Sequence, residues 1–172
     1  MNQQDQFLTQ YTVWKDATEY LGTGEVELPS FEALTETIKG AGIAGEATAP
    51  VVGHYGSQTL KISWRTITKD AIVLSESKAH TIDFRANQQL FDTGKGEYVQ
   101  QPVVIKTRCV PINFSPGKLA VGASTETANE FEVHYIKIMI DGKTIREFDK
   151  FNCVSIVNGK DELEQVRKNI GL

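Results

Sequence analysis

Two long β-rich runs meet at Asp141-Gly142 in "FEVHYIKIMIDGKTIREFDKFNCVSIV". Asp-Gly between such runs selects a two-residue turn with positive φ at both positions, the geometry that joins antiparallel strands. The chain is thereby committed to a long hairpin. In its first arm both faces carry apolar residues, Val133, Tyr135 and Met139 against Ile136, Ile138 and Ile140. A strand of that kind is expected to be covered on both sides, by a helix or by a neighbouring chain.

Other strands announce themselves by alternation. In "TLKISWRTI", Leu60, Ile62 and Trp64 share one face, and Thr59, Lys61, Ser63 and Arg65 the other. In "VVIKTRCV", Ile105, Thr107 and Cys109 oppose Lys106 and Arg108, after Pro102 at the strand entry. "GEVELP" predicts a short strand ended by Pro29, whereas "SFEALTETIK" is open: Phe31, Leu34 and Ile38 fit helical spacing, and its threonines favour strand. "DTGKG", "SPGK" and Asn158-Gly159 predict turns. After the last of these the period becomes helical in "DELEQVRKNIGL". Asp161 can cap, Glu162 and Glu164 suit the start, Arg167 and Lys168 the end, and Gly171 the terminus. Leu163, Val166 and Ile170 form an apolar stripe expected to pack on the sheet.

The chemistry-bearing motifs are sparse. "GAGIAG", Gly40 to Gly45, has the G-x-G-x-x-G spacing of a dinucleotide site, but that site needs an apolar strand before it and a helix after it. "TETIK" upstream is polar, Pro50, Gly53 and Gly56 break any helix downstream, and Asp70, in a turn-like "TKDA", is not on a second strand. The segment from Gly40 to Gly56 reads instead as a long loop of small residues. His54, His80 and His134 lack metal-ligand spacing, no G-x-S-x-G occurs, and Cys109 and Cys153 predict buried, reduced thiols within strands. In "REFDKF", Glu147 and Asp149 dilute the basic charge, so Phe148 and Phe151 are assigned to packing. No catalytic, cofactor or metal residue is assigned.

A length of 172 residues suits one domain, and 40% hydrophobic with 23% charged residues is the balance of a globular protein. The net charge of −4 argues against a nucleic-acid binder. No apolar run reaches membrane-spanning length, and "MNQQDQFLTQ" has neither a basic nor an apolar leader region, so the cytoplasm is the expected place of synthesis and residence. The prediction is one mainly β, antiparallel sandwich or barrel-like domain over 1–172 with a C-terminal helix and a flexible segment at 1–10.

The order of blocks then becomes informative. "VELPSFEALTETIKGAGIAGE", "PVVGHYGSQTLKISWRTI", "HTIDFRANQQLFDTGKGE", the "GKLAVG" turn and the run from "FEVHYIKIMIDG" through "FDKFN" to "VNGKDELEQVRKNIG" resemble the major tail tube protein family of contractile-tailed phages, also found in bacteriocin-like particles. The resemblance covers nearly the whole chain. It implies a non-catalytic structural subunit, assembled in the host cytoplasm, whose hexameric rings stack into a hollow tube in the virion tail. The implied partners are further copies of itself, the sheath, baseplate and tail terminator proteins, a tape measure protein in the lumen during assembly, and DNA as passing cargo. The glycine-rich segment then becomes the expected assembly loop: Gly40, Gly42, Gly45, Gly53 and Gly56 permit close approach, with His54 and Tyr55 as contact points. A monomeric β-sandwich binding a carbohydrate or a protein is the alternative.

Overall fold

The computed structural model describes residues 3–22 and 24–172. Twelve strands and two short helices follow one another as β1 (Gln3–Lys15), β2 (Glu19–Gly22), β3 (Gly24–Glu27), β4 (Ala33–Lys39), β5 (Glu46–Tyr55), β6 (Thr59–Trp64), α1 (Lys69–Val73), β7 (His80–Asp92), β8 (Glu97–Ser115), β9 (Thr127–Ile140), β10 (Lys143–Asp149), β11 (Val154–Val157), β12 (Lys160–Asp161) and α2 (Glu164–Ile170). The main sheet runs β12-β11-β10-β9-β8-β7-β1-β2, all antiparallel, with a branch in which β6 pairs β9 and β3 pairs β6. β4 and β5 form a separate two-stranded sheet.

The turn at Asp141-Gly142 has φ of 50° and 74°, as its residue types require. The strand before it does not need two covers. Opposite β8, Arg108 faces Tyr135 and Cys109 faces Val133, so His134 is the extra residue of a β-bulge. Side-chain parity reverses there, and Val133 and Ile136 both enter the core despite their odd spacing. The bulge is also the branch point: β9 pairs β6 from Thr127 to Glu132 and β10 from Tyr135 onward.

Leu60, Ile62 and Trp64 of β6 meet Ile82 and Phe84 of β7 and Ile105 and Cys109 of β8 in one core, with Lys106 and Arg108 outside as their alternation predicts. α1 closes the core with Ala71, and Leu74, just after its end, joins it. Thr68 Oγ1 accepts from the Ala71 amide at 3.1 Å, and this cap places Asp70 in a helix rather than the expected turn. Trp64 Nε1 donates to Asn129 Oδ1 at 2.9 Å, and Asn129 Nδ2 donates to the Ala71 carbonyl at 3.0 Å, so a buried amide links three elements.

One open reading is resolved and three local expectations are corrected. "SFEALTETIK" supplies strand β4, because cross-strand partners on β5 favour its threonines. Pro102 lies inside the 19-residue strand β8, not at its entry. Cys153 occupies a turn, at φ 51°, between β10 and β11. The C-terminal helix begins only at Glu164: Asn158-Gly159 turns the chain into β12, and Asp161 accepts from the Leu163 amide at 3.0 Å and pairs with Arg167 at 2.5 Å instead of capping the helix. Of its stripe, Leu163 is buried, while Val166 and Ile170 remain exposed.

Candidate assembly surface

The segment of small residues is not a loop throughout. Gly40 to Gly45 forms the tip of a β-hairpin whose arms, β4 and β5, pair from Lys39↔Glu46 down to Ala33↔Tyr55. Gly42 and Gly45 have φ of 92° and 125° and open space where a side chain would stand, so it is backbone conformation that requires glycine there. The arms stand off the core. Leu34, Ile38, Val51 and Val52, the last 64% exposed, and Ile43 at the tip present apolar surface to solvent.

The root is anchored. Tyr55 packs edge-on against Phe31 and Phe148 at centroid distances of 5.5 and 5.1 Å, and the Arg146 guanidinium lies 4.4 Å from the Phe31 ring and 4.9 Å from that of Tyr55. Four side chains from both ends of the hairpin and from β10 thus lock its exit angle. Gly53, buried at φ 69°, is the second attachment: a methyl group there would lie 2.6 Å from Leu163 Cγ. The single buried member of the C-terminal apolar stripe therefore rests on the hairpin's glycine. Of the two expected contact residues, Tyr55 is committed to the root, while His54 is exposed, its ring Nδ1 2.9 Å from the Val52 carbonyl. Gly56 donates its amide to the Glu32 carbonyl at 3.0 Å and closes the hairpin base.

A second incomplete surface is the edge of β1. Of the segment 1–10, expected to be flexible, residues 1 and 2 lie outside the described residues, and 3–10 are strand, paired with β7 from Gln3↔Asp92 onward. β2 covers the opposite edge only at residues 13–15, so the rest of that edge has no strand partner among the described residues. An open edge of this length is a template for another strand.

The sheet face opposite the core carries a cross-strand row of Trp14, Asp83, Lys106, Lys137 and Glu147, in which Asp83 is itself buried with one carboxylate oxygen unpartnered. Lys106 and Lys137 oppose each other, and an acid flanks each side of the pair, with Lys137 3.5 Å from Glu147. Tyr135 beside it donates to Glu147 at 2.9 Å, and burial, reinforced by that carboxylate, pushes its phenol up to about 12. Arg85 lies 4.6 Å from the Trp14 ring. His54, His80 and His134 lie on β5, β7 and β9, and among the described residues no group of three or more His, Cys, Asp or Glu is placed to hold a metal ion. No helix among them is long and apolar enough to cross a membrane.

The comparisons with known proteins agree with the resemblance. The family model for phage tail tube protein FII matches residues 5–171. The tail tube protein of Escherichia phage P2 is 34% identical over 167 residues, covering 93% of this chain and 94% of that protein. A match at this identity over nearly the full length of both chains replaces the reading of a monomeric binding module. The chain belongs to the phage tail tube protein FII family and is a structural subunit of a phage tail.

Proposed function

We propose that this subunit forms hexameric rings that stack into the hollow inner tube of a contractile tail, and that the β4–β5 hairpin, Gly40, Gly42, Gly45 and His54 included, bears on a neighbouring subunit or ring. The observation that carries the proposal is the hairpin itself, whose apolar side chains are exposed while its root is fixed by Phe31, Tyr55, Arg146 and Phe148. A two-stranded sheet standing alone is marginal in water, and an element held rigidly at one end with apolar sides is suited to burial against another chain. The open edge of β1 supports the same reading, since ring closure supplies a strand to cover it.

The role is mechanical rather than catalytic. A sheath outside, a baseplate and terminator at the ends, and a tape measure protein in the bore during assembly are its partners, and DNA passes without being bound. The net charge of −4 favours sliding of a polyanion over adhesion. The direct test is Val52→Asp together with Ile38→Asp. Both side chains are exposed, so circular dichroism and the urea midpoint should match the unaltered protein while tubes disappear from electron micrographs. Normal tubes from the double variant refute the hairpin's role.

A further inference from the structure

The β8–β9 connection, residues 116–126, presents Leu119 and Val121 almost wholly to solvent, Leu119 at 86% exposure. This tip is not carried on a slack loop. Lys118 N donates to the Thr125 carbonyl at 2.8 Å, Thr125 N to the Arg65 carbonyl at 2.9 Å, and Thr127 Oγ1 to the Pro116 carbonyl at 3.0 Å. Gly117, at φ 82°, lies so close beneath the Thr125 carbonyl that a methyl group would fall 1.8 Å from its oxygen. A built root holding an apolar tip in water is a knob without its hole.

A hole of matching character lies elsewhere on the molecule. Between β3 and the β1-β7-β8 face an apolar groove of about 530 Å³ opens onto the core residues Phe84, Val103 and Ile105, with Leu8 and Leu28 half-exposed at its lip. Glu25 and Glu27 stand at its rim, both exposed, whereas the knob's root carries the exposed cation Lys118; Arg65 lines a separate cleft of the same chain together with Glu25 and is not available to the contact. The charges are complementary. The exposure of Leu119 shows that the chain does not fill its own groove. The knob also leaves β8 at Ser115, roughly 33 Å along that strand from Ile105 at about 3.3 Å per residue.

We infer that the Leu119–Val121 knob of one copy seats in the β3/β1 groove of a second copy, with Lys118 moving from its own Glu126, 2.9 Å away in the monomer, towards Glu25 or Glu27 of its neighbour. Because knob and groove are different patches, the contact is heterologous and repeats from copy to copy, closing a ring or extending a stack. The inference deepens the proposed self-assembly and rests on it.

The test mixes full-length Val121→Cys protein with full-length Leu28→Cys protein, one carrying a size tag, under mild oxidation. Val121→Cys mixed with Lys143→Cys is the control pair, and the same samples are imaged by electron microscopy with and without baseplate-containing extract, tubes being scored absent only when both conditions lack them. The expected result is a mixed disulfide well above the control, together with loss of tubes in Leu119→Asp. Tubes without the mixed disulfide overturn the knob contact and leave the proposed function standing. A disulfide without tubes supports the contact and overturns the tube reading. Absence of both overturns both.

Discussion

Replacing Gly53 by Ala tests how the hairpin is held. Gly53 is buried at φ 69°, and an added methyl group would approach Leu163 Cγ at 2.6 Å, Cδ2 at 2.7 Å and Cδ1 at 3.0 Å. Two penalties act together. An L-residue in the left-handed region costs about 1–2 kcal/mol, and forcing a methyl group into a packed contact costs a further ~1–3 kcal/mol. Reduced freedom of the unfolded chain returns about 0.4–1 kcal/mol. The net expectation is a loss of about 1–4.6 kcal/mol, a large part of the ~5–15 kcal/mol typical of a domain. Urea denaturation with an unchanged slope reads it. Leu163→Ala alone should cost about 2–5 kcal/mol, because Leu163 is buried. In the double variant the methyl group has room, so the losses should fall short of additivity by about 1–3 kcal/mol. Gly53→Ala within ~0.5 kcal/mol of the unaltered protein, or strict additivity in the cycle, would refute the reasoning.

Other perturbations follow from the same geometry. Asn129→Ala removes both bonds of the buried amide and leaves Trp64 Nε1 without its acceptor, so stability should fall by about 2–4 kcal/mol in the same urea assay. Gly142→Val places a β-branched residue at φ 74° and should lower the melting temperature by several degrees, whereas Gly142→Asn should be nearly neutral. Burial pushes the Cys109 thiol up to about 12, so a thiol reagent at neutral pH should label Cys153 and reach Cys109 only on unfolding. Acid should weaken the fold in a defined direction. Burial raises the Glu132 carboxyl, but bonds from Lys150, Ser57 and the Gln58 amide outweigh it and hold it below the usual carboxylate range, and the Arg167 contact does the same for Asp161. Carboxyls depressed in the folded state contribute stability above their unfolded values, and that stability is lost as pH falls through the folded ones. The urea midpoint should therefore drop as pH falls from about 5 towards 3, and Asp161→Asn should flatten part of that drop.

Local signals in the sequence carried the strands whose partners are near or whose pattern is strict. Asp141-Gly142 specifies its turn by itself, and Leu60, Ile62 and Trp64 alternate cleanly because one face of β6 is core and the other is not. The bulge at His134 was hidden, since a parity switch and a two-faced strand leave the same apolar pattern. The hairpin was hidden for a different reason. Its arms bury little, so "ALTETIK" and "EATAPVV" lack a hydrophobic period, and only cross-strand pairing makes them strands. The C-terminal stripe predicts a packed helix, yet the contact that forms is one residue, Leu163, against a glycine more than a hundred positions earlier. The knob at Leu119 and Val121 reads as an ordinary turn in sequence, because exposure is a property of the fold. Family order of the blocks was legible where the candidate assembly surface was not.

The central claim is that this chain is built to stack with itself. Cryo-electron microscopy of the concentrated purified protein, with and without baseplate-containing extract, tests it most directly. The account predicts hollow tubes of stacked rings with the β4–β5 hairpin and the open β1 edge covered by neighbouring copies. Monomers alone under both conditions, or tubes in which both surfaces remain bare, would contradict it.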